Sequence, residues 1–172
     1  STDRGESWQP SATGLAPAQY VRRLFFSPDF ANDQTVYILL DPGYDTSPVL
    51  QRSTDAGRSW ETLLEGLPPS FEPGTASALP NNELYLGAAG QQITVPPDSL
   101  TWGSRPVDIT QADWHDLAIG PANELFLANS AAGVFRSIDG GQSWQETGFP
   151  VRSGSFQLAR LAMASDGTLF AA

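Results

Sequence analysis

The chain has 172 residues, a formal net charge of −10, no Cys, one His and nine basic residues, enough length for one domain with a sizeable core. Without Cys there are no disulfides or thiolate metal sites, a lone His argues against a His-cluster metal centre, and no cofactor is implied. The acidic balance argues against binding a nucleic-acid backbone, and the apolar run Val36–Leu40 falls far short of the ~20 residues of a membrane-inserted helix.

Sixteen Gly and 14 Pro suit many short strands joined by turns. The chain opens at Ser1 without Met or a leader, as a processed or excised polypeptide would. Ser7 to Pro10 reads as a lone strand after a turn, and the strand that should precede that turn is missing. Tyr20–Phe26 predicts a strand, Ser27–Gln34 a turn-rich connection and Thr35–Leu40 a second strand. Pro42 and Gly43 break it; Val49–Arg52 and Trp60–Leu64 supply a third and fourth. Next come Thr75–Leu79, a turn at Asn81-Asn82, Glu83–Gly87 and Gln92–Val95. Asp113–Ile119, a turn at Pro121–Asn123, Glu124–Ala128 and Gly133–Arg136 follow. The tail gives Gln157–Met163, the turn Ser165-Asp166-Gly167 and Thr168–Ala172.

One phrase recurs through this order. Ser1-Thr2-Asp3-Arg4-Gly5-Glu6-Ser7-Trp8, Ser53-Thr54-Asp55-Ala56-Gly57-Arg58-Ser59-Trp60 and Ser137-Ile138-Asp139-Gly140-Gly141-Gln142-Ser143-Trp144 share the pattern S-x-D-x-G-x-S-W. A worn copy keeps only Thr101-Trp102. Trp60 to Trp102 and Trp102 to Trp144 are each 42 residues, and Trp8 to Trp60 is 52. The extra length falls in the Ser27–Gln34 connection and the Asp41–Pro48 loop. A period of roughly 40–45 residues made of short strands predicts one propeller blade per repeat. Each phrase reads as a tight turn: Gly supplies positive φ, and Asp accepts backbone N–H groups. The Trp is expected to wedge between neighbouring blades, burying ~150–250 Å², or ~4–6 kcal/mol at the upper limit. These residues are structural rather than catalytic.

The phrase resembles the Asp-box, or BNR repeat, of sialidase-like β-propellers, and the S-P-D-F-A-N-D-x-T-V-Y stretch from Ser27 to Tyr37 is similar to repeats of exported bacterial Asp-box proteins. Families with the motif include sialidases, xyloglucan-cleaving hydrolases, sortilin-type receptors and photosystem II assembly-factor-like propellers. The resemblance implies an all-β chain of four-stranded antiparallel blades and, because such proteins are mostly exported, an extracytoplasmic location. The blades are expected at about 19–64, 73–104 and 112–147, with a closing blade from 155–172 plus 1–10. That makes about four blade-equivalents in a single domain. One strand of the closing blade is lacking, which leaves three closures open. They are a segment of a larger propeller with further blades in a longer chain, a four-bladed ring, and two copies in an eight-bladed ring.

Propeller chemistry gathers where the first strands of the blades converge. Aligned on Leu24, Leu117 and Leu161, these strands bring Arg23, Asp116 and Arg160 to one level, with His115 and Arg22 beside them. One functional reading is an anion or sugar-acid site, since Arg grips carboxylates bidentately. The other, preferred, is a ring of ion pairs that balances charge. A His flanked by a carboxylate can act as a base, but no nucleophile pairs with His115. Sialidases resembling this chain use an arginine triad and a Tyr–Glu pair. Arg22, Arg23 and Arg160 offer arginines, while Tyr20, Tyr37, Tyr44 and Tyr85 offer no matching Glu. Glycosidases need two placed carboxyl groups, and none are evident. The expected function is a non-catalytic binding or scaffold propeller for a protein partner. The alternatives are a glycan-binding or glycan-cleaving propeller segment and an assembly-factor-like chaperone. Trp114, Tyr44 and Phe71 are aromatics suited to sugar stacking or protein contact.

Overall fold

Strands form where the short apolar runs lie, and each finds antiparallel partners among its sequence neighbours. The computed structural model describes residues 1, 3–10, 13–18, 20–41, 43, 46–67, 75–79, 83–88, 91–96, 103–106, 114–129, 133–149, 160–164 and 166–172. The first sheet holds β1 (Tyr20–Phe26), β2 (Val36–Asp41), β3 (Val49–Ser53) and β4 (Glu61–Leu64) in that spatial order. The second holds β5 (Thr75–Ala78), β6 (Leu84–Ala88), β7 (Gln91–Val95) and β8 (Gly103–Pro106). The third runs β9 (Trp114–Ile119), β10 (Leu125–Asn129), β11 (Gly133–Ser137) and β12 (Gln145–Glu146). A two-stranded sheet pairs β13 (Leu161–Met163) with β14 (Leu169–Ala171). One turn of helix, α1 (Phe30–Asp33), lies inside the connection read as turns alone. It is held by the Ser27 and Asp33 side chains, whose Oγ–Oδ2 hydrogen bond is 2.5 Å. No described helix is long and apolar enough to cross a membrane.

The sheets stack face to face in chain order, and β1 meets β5, β5 meets β9 and β9 meets β13. Side-chain alternation decides what lies between them, because successive residues of a strand point to opposite faces. Tyr37, Leu39 and Leu50 pack with Leu84, Leu86 and Ile93 between the first and second sheets. Tyr85 faces the other way and joins Leu117, Leu125, Leu127 and Phe135 between the second and third. Ala118, Ala128 and Val134 meet Leu161 between the third and fourth. β2 is buried on both faces, Val36, Ile38 and Leu40 on one and Tyr37 and Leu39 on the other, which is why its sequence is almost continuously apolar.

The N-terminal residues depart from expectation. Ser7 to Pro10 forms no strand. A strand needs a neighbouring ladder, and among the described residues β13 and β14 pair only with each other. Further on, residues 13–16 lie as a strap over the first sheet. Trp60 donates its backbone N–H to the Thr13 carbonyl at 2.9 Å, and the buried Gln51 amide bonds the Gly14 carbonyl at 3.0 Å and the Ala16 N–H at 2.8 Å. Gly14 has φ +78°, and a Cβ there would lie 2.2 Å from the Trp60 carbonyl oxygen. Gly14→Ala is therefore expected to cost more than about 1 kcal/mol and to release the strap. Limited proteolysis should then cut before Tyr20 in the variant and not in the parent. The expected strand residues 157–159, the Asn81-Asn82 turn, Tyr44, Phe71 and the worn Thr101-Trp102 lie outside the described residues, as does the Trp114 side chain.

Candidate functional site

The first strands of the sheets carry the candidate residues, and two of them are interrupted in the same way. In β1 the pairing steps from Val21–Leu40 to Arg23–Leu39, so Arg22 is an extra residue. In β9 it steps from Trp114–Asn129 to Asp116–Ala128, so His115 is the extra residue. A bulge re-aims side chains and often borders a functional site. Arg22 and His115 are thus structural equivalents, as are Arg23 and Asp116. Arg160 completes the set, because its backbone exchanges hydrogen bonds of 3.0 and 3.1 Å with Ala172, one residue before the Leu161–Ala171 pair.

Asp116 is buried and binds three sheets together. Its Oδ1 accepts from an Arg23 guanidinium N–H of the first sheet and from the Leu117 N–H at 3.1 Å. Its Oδ2 accepts the Leu161 N–H of the fourth sheet at 2.9 Å. Both oxygens of this carboxylate serve the contacts between strands. Arg22 turns away from the group. Its Nε donates to Asp41 Oδ2 at 2.8 Å and its guanidinium lies 6.0 Å from the Tyr20 ring centroid. The Gly43 N–H, then Arg22, hold the Asp41 carboxyl below its ordinary value. His115 is half-buried and its Nε2 is enclosed with no hydrogen-bond partner among the described residues. Arg160 has an exposed side chain. The structure therefore joins Arg23 to Asp116, and sets Arg160 next to the Leu161 amide that Asp116 binds. Arg22 is diverted to its own sheet. Asp41 and Gln51 escaped the sequence reading because a lone acid at a strand end and a lone Gln within a strand carry no spacing signal.

The three described S-x-D-x-G-x-S-W turns share one bonding scheme. The first Ser Oγ donates to the Asp Oδ1 at 2.7, 2.7 and 2.8 Å (Ser1, Ser53 and Ser137) and accepts the Gly N–H at 2.7, 2.8 and 2.8 Å. The second Ser donates its Oγ to Oδ2 at 2.5, 2.6 and 2.5 Å (Ser7, Ser59 and Ser143), and its N–H bonds Oδ1. Asp3, Asp55 and Asp139 are held well below the usual carboxylate range, first by the second Ser hydroxyl, then by its N–H and by the first Ser. A carboxyl depressed in the folded state stabilises the fold above its unfolded pKa of ~3.9. That contribution is lost as pH falls through the lower folded value. Unfolding followed against pH should show stability declining below about pH 4. Asp139→Asn is expected to lower stability at neutral pH and to flatten that acid decline.

The three Trp residues differ in setting. Trp144 packs on the second sheet, its ring centroid 6.4 Å from that of Tyr85 at 74°. Gly141, at φ +82°, lies so near this sheet that a Cβ would sit 2.9 Å from Gln92 Oε1 and 3.0 Å from Tyr85 Cε2. The turn of the third sheet thus presses on the sheet before it. Trp60 is half-buried, while Trp8, expected to wedge between blades, is 76% exposed. Among the described residues, no group of three or more His, Asp and Glu is placed to hold a metal.

No protein family and no curated protein matches this sequence. Solved structures do. A Niastella koreensis GH74 enzyme is 21% identical, with TM-score 0.67, over 88% of this chain and 26% of its own. YCF48 bound to a D1 peptide is 18% identical, with TM-score 0.67, over all of this chain and 53% of its own. A streptogramin B lyase is 9% identical, with TM-score 0.64, over 91% of this chain and 49% of its own. At these identities the likeness shows the β-propeller fold alone, and the chain spans between a quarter and about half of the structures it resembles.

Proposed function

We propose that each sheet is a blade of an Asp-box propeller and that the chain is a non-catalytic scaffold that binds a protein partner, peptide segments above all. The observation that carries this reading is the engagement of Asp116, where the first strands converge, and of the three turn carboxylates. Both oxygens of Asp116 are taken up by Arg23, Leu117 and Leu161, and Asp3, Asp55 and Asp139 are taken up by their own turns. Glycoside cleavage needs two carboxyl groups flanking the scissile bond, and a carboxylate engaged in this way is not available to it. A propeller also offers the loops that join its strands, and loops on a rigid frame are where binding residues concentrate. The YCF48 structure, with a peptide bound, supports a peptide as the class of partner.

A peptide library passed over the immobilised chain, alongside assays with fluorogenic sialosides and xyloglucan oligosaccharides, tests the proposal. Retention of a definable peptide set with no turnover is the expected outcome. Hydrolysis of either glycan, lost on mutating an acidic residue, would overturn it in favour of a glycoside hydrolase segment.

A further inference from the structure

Gln51 is a polar side chain in an apolar position. It lies two residues before Ser53, which pairs with Val36, just as Phe135 lies two before Ser137, which pairs with Leu125. Phe135 belongs to the apolar layer between the second and third sheets, whereas its counterpart Gln51 is an amide only 1% exposed. A buried amide is costly unless its donor and its acceptor are both met. The strap meets them. Gln51 Nε2 donates to the Gly14 carbonyl at 3.0 Å and lies 3.3 Å from Thr62 Oγ1, and its Oε1 accepts the Ala16 N–H at 2.8 Å. One side chain thus grips main-chain groups on either side of Leu15.

The rest of the contact is also made to backbone. Thr13 forms a parallel bridge with Ser59, and its carbonyl accepts the Trp60 N–H at 2.9 Å. Trp60 leads directly into β4, the edge strand of its sheet. Main-chain bonding of this kind is how a sheet edge takes up a peptide. Selection among side chains falls on one position. Gly14 has φ +78°, and a Cβ there would meet the Trp60 carbonyl oxygen at 2.2 Å. Thr13 and Gly14 are exposed, and none of residues 13–16 belongs to a buried apolar cluster. A segment tied by a few main-chain bonds opens more readily than the strands beneath it.

We propose that Gln51, Thr62 and the Trp60 backbone form a peptide-binding groove, that residues 13–16 fill it as an internal ligand, and that a peptide with glycine in the Gly14 place competes for it. The partner that fits is a protein segment with small residues around a glycine, because Thr13, Gly14 and Ala16 are what the groove holds. The inference rests on the peptide-binding function proposed above and gives it a site and a sequence preference.

Fluorescence anisotropy on the whole 172-residue chain tests it. The probe is a labelled peptide of the strap sequence, Ser11-Ala12-Thr13-Gly14-Leu15-Ala16-Pro17-Ala18. Gly14→Ala loosens the tethered strap by its clash with Trp60, and Ala16→Pro does so by removing the N–H that Gln51 accepts. Each variant is expected to bind the probe roughly tenfold or more tightly than the parent, whose own strap holds the groove at high effective concentration. Adding Gln51→Leu, which makes the position apolar like that of Phe135, should abolish the gain. A probe with Ala in place of its glycine should bind about tenfold more weakly. A cooperative unfolding transition checks that each variant is folded. Loosened variants that bind no better than the parent, or that bind equally well with Gln51→Leu, overturn the proposal. A peptide set retained from the library by Gln51→Leu as fully as by the parent overturns the groove while keeping the peptide-binding function.

Discussion

Asp116→Ala is expected to destabilise the protein by about 3 kcal/mol, the lower end of the range for breaking a buried ion pair by removing one partner. The Arg23 guanidinium would lose its carboxylate while its side chain remains only 23% exposed. The Leu161 N–H, which Asp116 binds at 2.9 Å, would lose its acceptor. At ~2–4 °C per kcal/mol for a chain of this size, the melting temperature should fall roughly 6–12 °C. Asp116→Asn is expected to cost less, since an amide oxygen can still accept from Leu161 while the charge on Arg23 goes unanswered. Calorimetry on the parent and both variants checks the order. A parent-like Asp116→Ala would mean that the carboxylate is not holding the sheets together.

Trp144→Ala should fall in the same range. Removing a packed Trp costs ~3–5 kcal/mol, and the half-buried setting of Trp144 places it near 3 kcal/mol. The loss opens a cavity beside Tyr85, which is fully buried between the second and third sheets. Trp8→Ala is the matched control. Its turn is bonded like the other two, but its ring is 76% exposed, so its removal should stay within about 0.5 kcal/mol. Denaturant unfolding of the two variants separates the turn from the packing. A shift for Trp144→Ala as small as that for Trp8→Ala would mean that the indole does not lock one sheet on the next.

The repeat made most of the architecture legible. Gly and Asp at fixed offsets before Trp can only be read as a turn, and the period places the strands between turns. The strands at Tyr20, Thr35 and Val49 follow from β-branched and aromatic runs bounded by turn residues. The register of Arg23 with Asp116 was also legible, because Leu24, Leu117 and Leu161 mark the same position in three strands. What the sequence hides depends on partners far along the chain. Trp8 carries the same motif as Trp144, yet its ring is 76% exposed while that of Trp144 packs by Tyr85. Arg22 has the same local sequence setting whether it faces the axis or Asp41, and a one-residue bulge decides which. The strands β8 and β12 have no apolar alternation of their own and are recognisable only by pairing with β7 and β11. The clasp of Gln51 on the strap joins residues 35 and 37 positions apart, beyond any local pattern.

The most direct test of the account is a double-mutant cycle on Arg23 and Asp116, with Arg23→Met, Asp116→Asn and the double variant unfolded in urea. If the pair spends its charge holding the first and third sheets together, the double variant should be at least about 1 kcal/mol more stable than the sum of the two single losses predicts. Additive losses would contradict the account and return Asp116 to the pool of residues free to bind a ligand.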